Sequence, residues 1–143
     1  MEVENALYPV RGQIEVLRND SSPQPIVMLN LLKFRAKAQY SDGRETDLTG
    51  EQAFDIYIET MRKIVERGGG KFLFESAVKY LTIGEVEGLW DRAALVQYPS
   101  AAEFLKITSS PEAAAIRTHR SAGLEGQLLI CVSQRSDFEA LRK

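Results

Sequence analysis

The most apolar stretch of the chain runs from Pro25 to Arg35 and is nearly continuously apolar, as a strand covered on both faces is. Apolar side chains occupy both faces: Ile26, Met28, Leu32 and Phe34 on one, and Val27, Leu29 and Leu31 on the other. The stretch is too short to cross a membrane. We therefore expect helices against one face and a second layer, such as another subunit, against the other.

Apolar spacing and capping residues predict four helices. They are the segment over 9–18, the segment between Thr49 and Gly68, the segment from Ser100 to Ser109 and the segment from Ser110 to Gly123. The second is the clearest, because Thr49 and Gln52 form a capping box ahead of an apolar stripe that includes Met61. Gly68 follows this helix, and we expect it to supply a left-handed C-cap.

Strand patterns occupy the gaps between the helices. Besides the first strand, segments rich in β-branched, aromatic and other apolar residues lie at 71–83, 90–98 and 124–132. After the N-terminal helix the order is strand, helix, strand, strand, helix, strand, which is the split βαβ or ferredoxin-like arrangement. We predict an α+β fold with a four-stranded antiparallel sheet and helices on one face. An uncovered apolar sheet face is rare in monomers, so we also predict a homodimer packed sheet against sheet.

The polar segment 36–48 is long for a loop in a compact domain. Asp42 and Gly43 within it are typical of a tight turn. We favour a plain solvent loop here, and a lid or binding segment is the alternative. The charged segment 136–142 could form one or two helical turns.

Composition limits the classes of function. The chain has 143 residues, which suits a single domain over 1–143 with a core over about 25–133. Its net charge of −2 favours neither nucleic acid nor an anionic membrane as a partner. One histidine and one cysteine cannot build a Cys/His zinc site, and we expect Cys131 to be a small buried hydrophobe. No cofactor fingerprint is present, and the acidic N-terminus lacks a signal-peptide pattern, so a cytoplasmic location is expected.

Several short motifs follow one another along the chain. They are Pro25–Arg35, Tyr40–Arg44, Gly50–Phe54 with Tyr57, Trp90–Arg92 followed by Tyr98–Ser100, and Ser110–Glu112 with His119 and Arg120. This series resembles a bacterial family known only as a domain of unknown function, over about residues 8–132. One departure is Ala113, where many members would have an aromatic residue, so a pocket lined there would be altered or more open.

The resemblance implies the dimeric α+β barrel superfamily. Relatives there include cofactor-independent monooxygenases, muconolactone-isomerase-like enzymes, haem-degrading proteins and stress-induced proteins. Since one fold can carry many reactions, the resemblance implies the fold and the dimer more directly than it implies a reaction.

Asn30 and His119 are the candidate catalytic residues. Asn30 interrupts the most apolar strand, and a buried amide without partners costs about 1–3 kcal/mol. It is therefore either a structural amide bonded to its neighbours or a cavity group that binds a ligand. His119 is the only histidine, and histidine is the side chain whose ordinary pKa lies closest to neutrality. Its alternative role is a surface or packing residue.

Four further side chains, with Asn30 and His119, are candidate ligand-binding residues: Tyr57, Trp90, Arg92 and Arg120. Tyr57 lies in the apolar helical stripe, where a core role competes with a binding role. Trp90 and Arg92 lie at the edge of the predicted hairpin, where Trp90 could instead anchor the subunit interface.

Basic side chains offer a less specific signal. Arg120 could pair with a carboxylate, or join Arg117 and Arg11 in an anion site, although no spacing requires it. Lys33 and Arg35 are expected at a solvated strand end.

Three hypotheses for function follow. The first is a homodimeric barrel that binds a small organic molecule, with cofactor-independent monooxygenase- or isomerase-like catalysis as an option. The second is a non-catalytic ligand-binding or stress-associated module, and the third is a structural dimer whose interior is filled by its own side chains. A pocket with converging polar groups would favour the first two.

Overall fold

The computed structural model describes residues 2–135, which form a four-stranded antiparallel sheet with helices against one face. The elements are α1 (Arg11–Asn19), β1 (Ile26–Phe34), α2 (Gly50–Arg67), β2 (Lys71–Ala77), β3 (Arg92–Tyr98), α3 (Ala101–Thr108), α4 (Pro111–Gly123) and β4 (Leu124–Val132). The strand order is β2-β3-β1-β4, and every neighbouring pair is antiparallel. The predicted α+β, ferredoxin-like arrangement with an added N-terminal helix is confirmed.

One face of the sheet supplies the core. Its β1 side chains, Ile26, Met28, Leu32 and Phe34, are all buried and belong to two apolar clusters. These clusters also contain Met61 of α2 and Phe104 of α3. Burying an apolar side chain of this size contributes about 1.5–3 kcal/mol, so this layer supplies much of the stability.

The other face of the sheet, which we call the open face, is also apolar. The register places on it Leu29, Leu31, Phe74, Leu95, Leu128, Ile130 and Val132. None of these belongs to the buried clusters formed by the described residues. Phe74 is 55% exposed and Ile130 is 43% exposed. The open face is therefore the face for which the sequence predicted a second layer.

Hydroxyl caps begin three of the helices where the sequence placed them. Thr49 Oγ1 accepts from the N–H of Gln52 at 3.1 Å, and Gln52 Oε1 accepts from the N–H of Thr49 at 2.9 Å. Ser100 and Ser110 likewise accept hydrogen bonds from N–H groups in the first turns of α3 and α4. These caps satisfy donors that a helix cannot satisfy itself.

Other element ends differ from the predicted ones. Gly68 has φ −81°, so its prediction as a left-handed cap is wrong, and Gly69, with φ +91°, makes the turn instead. β2 ends at Ala77 rather than at 83, and both α1 and β3 begin two residues later than predicted. Side chains beyond Ala77 have little to pack against: Ile83 is 88% exposed. The turns predicted over 136–142 lie outside the described residues.

Two glycines let β1, α2 and α4 meet at one point. The N–H of Arg35, just past β1, donates to the carbonyl of Gly123 at 2.8 Å, and the N–H of Gly50 donates to the carbonyl of Arg35 at 3.1 Å. A Cβ on Gly50 would lie 2.1 Å from the Arg35 oxygen, and one on Gly123 would lie 2.3 Å from the Gly50 oxygen. Only glycine allows this approach, which fixes the backbone of Arg35 beside α4.

Candidate functional site

A groove of about 570 Å³ runs beside α4. We call it the α4 groove. Its walls come from three separated parts of the chain: Leu7 and Tyr8, the segment from Arg35 to Ser41, and residues between Ala114 and Ser121. The α4 wall consists of residues 114, 117, 118 and 121, a spacing that places them on one side of a helix.

The α4 groove is cationic. Arg35 and Arg117 both line it, and none of the described residues that line it is a carboxylate. Arg35 Nε is buried and has no hydrogen-bond partner, while Arg35 Nη1 donates to Gln39 Oε1 at 3.4 Å. Arg117 is exposed and donates from Nη2 to the carbonyl of Thr108 at 3.3 Å. Arg35 lies directly after the end of β1, as expected, and is half-buried there, with its backbone N–H bonded to the carbonyl of Gly123 at the end of α4.

Tyr40 connects the α4 groove to His119. The Tyr40 hydroxyl and His119 Nδ1 are hydrogen bonded at 2.8 Å, and the two rings meet edge to face with centroids 5.5 Å apart. The Tyr40 ring is buried with Ala53 of α2 and Ala122 of α4, and the Arg44 guanidinium lies 4.4 Å from its centroid. The segment 36–48 is therefore packed against two helices and is more than the plain solvent loop that we favoured.

Asn30 lies on the helix-facing side of the sheet, and its amide is bonded to protein groups. Its Oδ1 accepts from Gln127 Nε2 at 2.8 Å, and its Nδ2 donates to the carbonyl of Met28 at 3.2 Å. Gln127 Oε1 in turn accepts from Arg120 Nη2 at 2.7 Å, and the same nitrogen donates to the carbonyl of Leu7 at 2.6 Å. These contacts support the structural interpretation of Asn30. The suggested carboxylate partner of Arg120 is replaced by two carbonyl oxygens.

Tyr57 packs between the two larger apolar clusters, as a core residue does. Burial raises the pKa of its hydroxyl, and the positive charges of Arg120 and Arg117 oppose that shift. Burial also lowers the pKa of Arg120. Arg11 is paired with Glu15 at 3.2 Å on the exposed surface of α1. The suggested anion site of Arg11, Arg117 and Arg120 is therefore not formed.

Arg92 is held at the junction of the sheet and α2. Its Nη2 lies 2.9 Å from Asp55 Oδ1 and 3.4 Å from Glu51 Oε2, and its Nη1 lies 3.1 Å from Glu75 Oε1. Its guanidinium carbon also lies 4.9 Å from the centroid of the Phe34 ring. With a side chain only 12% exposed and three carboxylates around it, Arg92 is occupied by protein groups.

The remaining expectations concern Trp90, Cys131 and Ala113. Trp90 is half-buried, and its Nε1 donates to Asn5 Oδ1 at 2.7 Å, which ties the segment before β3 to the N-terminal segment. Cys131 is exposed rather than buried, because β4 is an edge strand. Ala113 is buried in the largest apolar cluster and does not open a pocket.

Among the six candidate residues, Asn30 and Arg120 are joined through Gln127, whereas Trp90, Arg92 and His119 are bonded to other residues. None of them lines the α4 groove, and His119 reaches it only through Tyr40. Sequence reasoning missed the residues that do line it, including Tyr8, Arg35 and Ser121. The spacing of residues 114, 117, 118 and 121 was a usable signal for the α4 wall. Nothing in the sequence places Tyr8 or Arg35 opposite that wall, because their placement depends on tertiary contacts.

Within 2–135, no group of three or more His, Cys, Asp or Glu side chains is placed to hold a metal ion. None of the helices described is both long enough and apolar enough to span a bilayer.

The fold and the groove define a small ferredoxin-like α+β domain with a cationic groove beside its last helix. A family model described as a domain of unknown function, DUF1330, matches residues 44–133. Since the match covers more than half of the chain, the protein belongs to this family.

Solved structures agree with that assignment. The methylated RPA0582 protein is 32% identical, with a TM-score of 0.84 over 92% of this chain and 96% of that chain. RPA0582 from Rhodopseudomonas palustris, a protein of unknown function, is 29% identical, with a TM-score of 0.83 over 94% of this chain and 100% of that chain. A hydroxynitrile lyase from Passiflora edulis shares the fold at 13% identity, with a TM-score of 0.53 over 81% and 99% of the two chains. No curated protein matches the chain.

Proposed function

We propose that this protein binds a small organic molecule in the α4 groove and works as a homodimer. The observation that carries the proposal is the convergence of polar groups from three separated segments on one concave surface of about 570 Å³. Small-molecule sites commonly enclose roughly 300–1,000 Å³ and use a few convergent polar groups.

The polar side chains beside β1 in the interior are bonded to protein groups. Asn30, Gln127 and Arg120 form a chain of hydrogen bonds that ends on protein atoms. A ligand entering there would have to break these bonds, whereas the donors of Arg35 and Arg117 at the groove are less fully used. The α4 groove is therefore a better candidate for the ligand site than the interior.

The homodimer is proposed from the open face. Apolar side chains from all four strands lie there together, including Phe74, Leu95 and Ile130. A second copy related by two-fold symmetry would cover this face with the same kind of surface and close a dimeric α+β barrel. The α4 groove lies on the helix side of the domain, so it would stay open in such a dimer.

The binding proposal can be tested with a library of small anionic, neutral and cationic compounds, screened by ligand-observed NMR. We expect some compounds to bind the wild-type protein and to lose binding in Ala114→Trp, which fills the groove. Ala115→Trp places the same ring at the adjacent exposed position of α4, outside the groove, and should keep binding. Hits unaffected by Ala114→Trp, or the absence of hits, would contradict the proposal.

A second candidate function is proton transfer to a bound ligand. Tyr40 lines the groove while its hydroxyl is hydrogen bonded to His119 Nδ1, so the pair could pass a proton between the groove and the imidazole. The test is deuterium exchange at the carbon beside the keto group of phenylpyruvate, followed by NMR. Exchange should be faster with the wild-type protein than with Tyr40→Phe or His119→Gln, and equal rates would remove this candidate.

A further inference from the structure

We infer that the ligand of the α4 groove is an organic acid, with its carboxylate held by Arg35 and Arg117 and an apolar or aromatic body against Tyr8 and Tyr40. The inference rests on the proposed function and adds the chemical class of the ligand. Three features of the groove support it: the charges of its two arginines, the fixed backbone of Arg35 and the aromatic side chains in its walls.

Neither of the two arginines that line the groove has a carboxylate partner among the described residues. Five other arginines have carboxylate partners in the described structure: Arg11, Arg44, Arg62, Arg67 and Arg92. The sequence has 20 carboxylate side chains against 18 basic ones, so partners are not scarce. Within residues 2–135, Arg35 and Arg117 form no ion pair, and the same is true of Arg18, Arg120 and Arg135. Arg35 and Arg117 differ from those three because they line one groove together. An anion bound between them would supply the missing negative charge.

The geometry of Arg35 favours a ligand with acceptor oxygens. Its backbone is fixed on both sides by hydrogen bonds to Gly50 and Gly123. Its Nε is buried and has no partner, and buried donors of this kind normally have one. A carboxylate presents two oxygens at the spacing of a guanidinium fork, so it can accept from the Nη groups of Arg35, of which Nη1 makes only a 3.4 Å bond to Gln39 Oε1.

The walls of the α4 groove favour a ligand body that is apolar or aromatic. Tyr8 is held in place by a hydrogen bond to Ser121 and by the guanidinium of Arg120, 5.3 Å from its ring centroid. Tyr40 is held by His119 on the other wall. Two fixed aromatic side chains offer surfaces against which a ring or an alkyl chain can pack.

The test uses four probes that share a benzene ring and differ in the head group: benzoate, phenyl phosphate, benzamide and benzylamine. Each is titrated into ¹⁵N-labelled protein while the Nε–H signals of Arg35 and Arg117 are followed. We expect benzoate to shift both signals in a saturable way and the neutral and cationic probes to leave them unchanged.

Charge-removing variants identify the residues responsible. Arg35→Leu and Arg117→Leu should each weaken benzoate binding by about 10- to 100-fold, the usual effect of losing a hydrogen bond to a charged group. Arg18→Leu removes the same charge from an exposed position on α1 and should leave binding unchanged. Since Arg35 is half-buried and its variant could fold poorly, Arg117→Leu, at an exposed position, provides an independent test.

The outcomes separate this inference from the proposed function. Benzamide or benzylamine binding as tightly as benzoate would overturn the organic-acid inference and leave the groove as a binding site. Phenyl phosphate binding far more tightly than benzoate would overturn the choice of a carboxylate. An equal loss of affinity in Arg18→Leu would mean that the net charge of the protein, and not the two groove arginines, controls benzoate binding. That result would overturn the inference. Should neither the four probes nor the compound library bind at the groove, both proposals would fall.

Discussion

At the scale of single residues, one chain of polar contacts ties together four parts of the domain. It begins at Asn30 in β1, passes through Gln127 in β4 and Arg120 in α4, and ends at the carbonyl of Leu7 ahead of α1. Each side chain supplies the donor or acceptor that its neighbour needs. Removing one side chain therefore leaves a partly buried polar group of its neighbour without a partner. A hydrogen-bonded network of this kind fixes how the sheet and the helices pack together. Breaking it leaves unpaired polar groups, which lower the stability of the fold.

We expect Asn30→Leu to lower the free energy of unfolding by about 1–3 kcal/mol, because Gln127 Nε2 loses its acceptor. Benzoate binding at the α4 groove should be unchanged. Urea denaturation and the NMR titration measure the two effects. Combining Asn30→Leu with Gln127→Leu should be non-additive by about 0.5–3 kcal/mol, as expected for residues in contact. Loss of benzoate binding in a stably folded Asn30→Leu protein would show that Asn30 takes part in ligand binding.

Tyr98 should make stability depend on pH in the alkaline range. Burial raises the pKa of its hydroxyl well above the usual value, and the charge of Tyr57 raises it further. In the unfolded chain a tyrosine ionises at about pH 10. Above that pH the unfolded state releases a proton that the folded state keeps, so the free energy of unfolding should fall as the pH rises.

The measurement compares urea denaturation at about pH 8 and at about pH 11, which bracket the ordinary tyrosine pKa. Tyr98→Phe cannot ionise, so it should lose less stability between these two pH values than the wild type does. Tyr80→Phe is the control, because Tyr80 is 70% exposed. An equal loss in all three proteins would assign the alkaline effect to other groups.

Residue types alone predicted part of this picture. The two possible roles of Asn30 followed from an amide in an apolar strand, and the packing of Tyr57 followed from helical spacing. The backbone bond of Arg35 to Gly123 and the bond of Arg120 to the Leu7 carbonyl did not follow, because these partners lie far away in the sequence. Cys131 was expected to be buried from its type, whereas its exposure is set by the position of β4 at the sheet edge.

At the scale of elements, the contact between Gly50 and Gly123 holds the start of α2, the end of α4 and the end of β1 together. We expect Gly50→Ala to destabilise the protein by about 1–3 kcal/mol or more, because its Cβ would overlap backbone atoms that cannot move independently. Gly12→Ala is the matched control, since a Cβ at Gly12 has nothing within 4 Å. As Gly12 lies within α1, that change should stabilise the protein by about 0.5–1 kcal/mol.

Denaturant melts of the two variants measure both effects. A Gly50→Ala protein as stable as the wild type would mean that the helices can separate at this point at little cost. The position of Arg35 beside α4 would then be less fixed than its hydrogen bonds indicate. Benzoate binding by Gly50→Ala would report on this directly.

Helix starts that carry a hydroxyl cap were easier to predict than the start of α1 or the end of β2. A helix start is encoded locally, since a serine or threonine hydroxyl reaches an N–H three residues away, as Thr49 does. The end of β2 depends on whether a neighbouring strand is there to pair with. The last residue of β2 that pairs with β3 is Ala77, opposite Arg92. The left-handed position fell on Gly69 rather than on Gly68, a choice that three consecutive glycines leave open.

At the scale of the whole molecule, the order of elements predicted the fold because only a few topologies satisfy it. The α4 groove could not be predicted in the same way, since the segment 35–41 and α4 are about 80 residues apart in sequence and meet through several tertiary contacts, among them Gly50–Gly123 and Tyr40–His119. The open face is an intermediate case: both faces of β1 are visibly apolar in the sequence, but what covers the second face is not encoded locally.

The final prediction concerns assembly through the open face. We expect the wild-type protein to sediment as a dimer at micromolar concentration, with a mainly apolar interface above ~1,000 Å² in total. Leu95→Lys, on β3 opposite Leu29 and Phe74, would bury a charge there and should give a monomer. Ile56→Lys makes the same kind of change on α2, where Ile56 is 41% exposed, and should remain dimeric. A wild-type monomer would exclude the dimer, and a dimer that survives Leu95→Lys would place the interface on another surface.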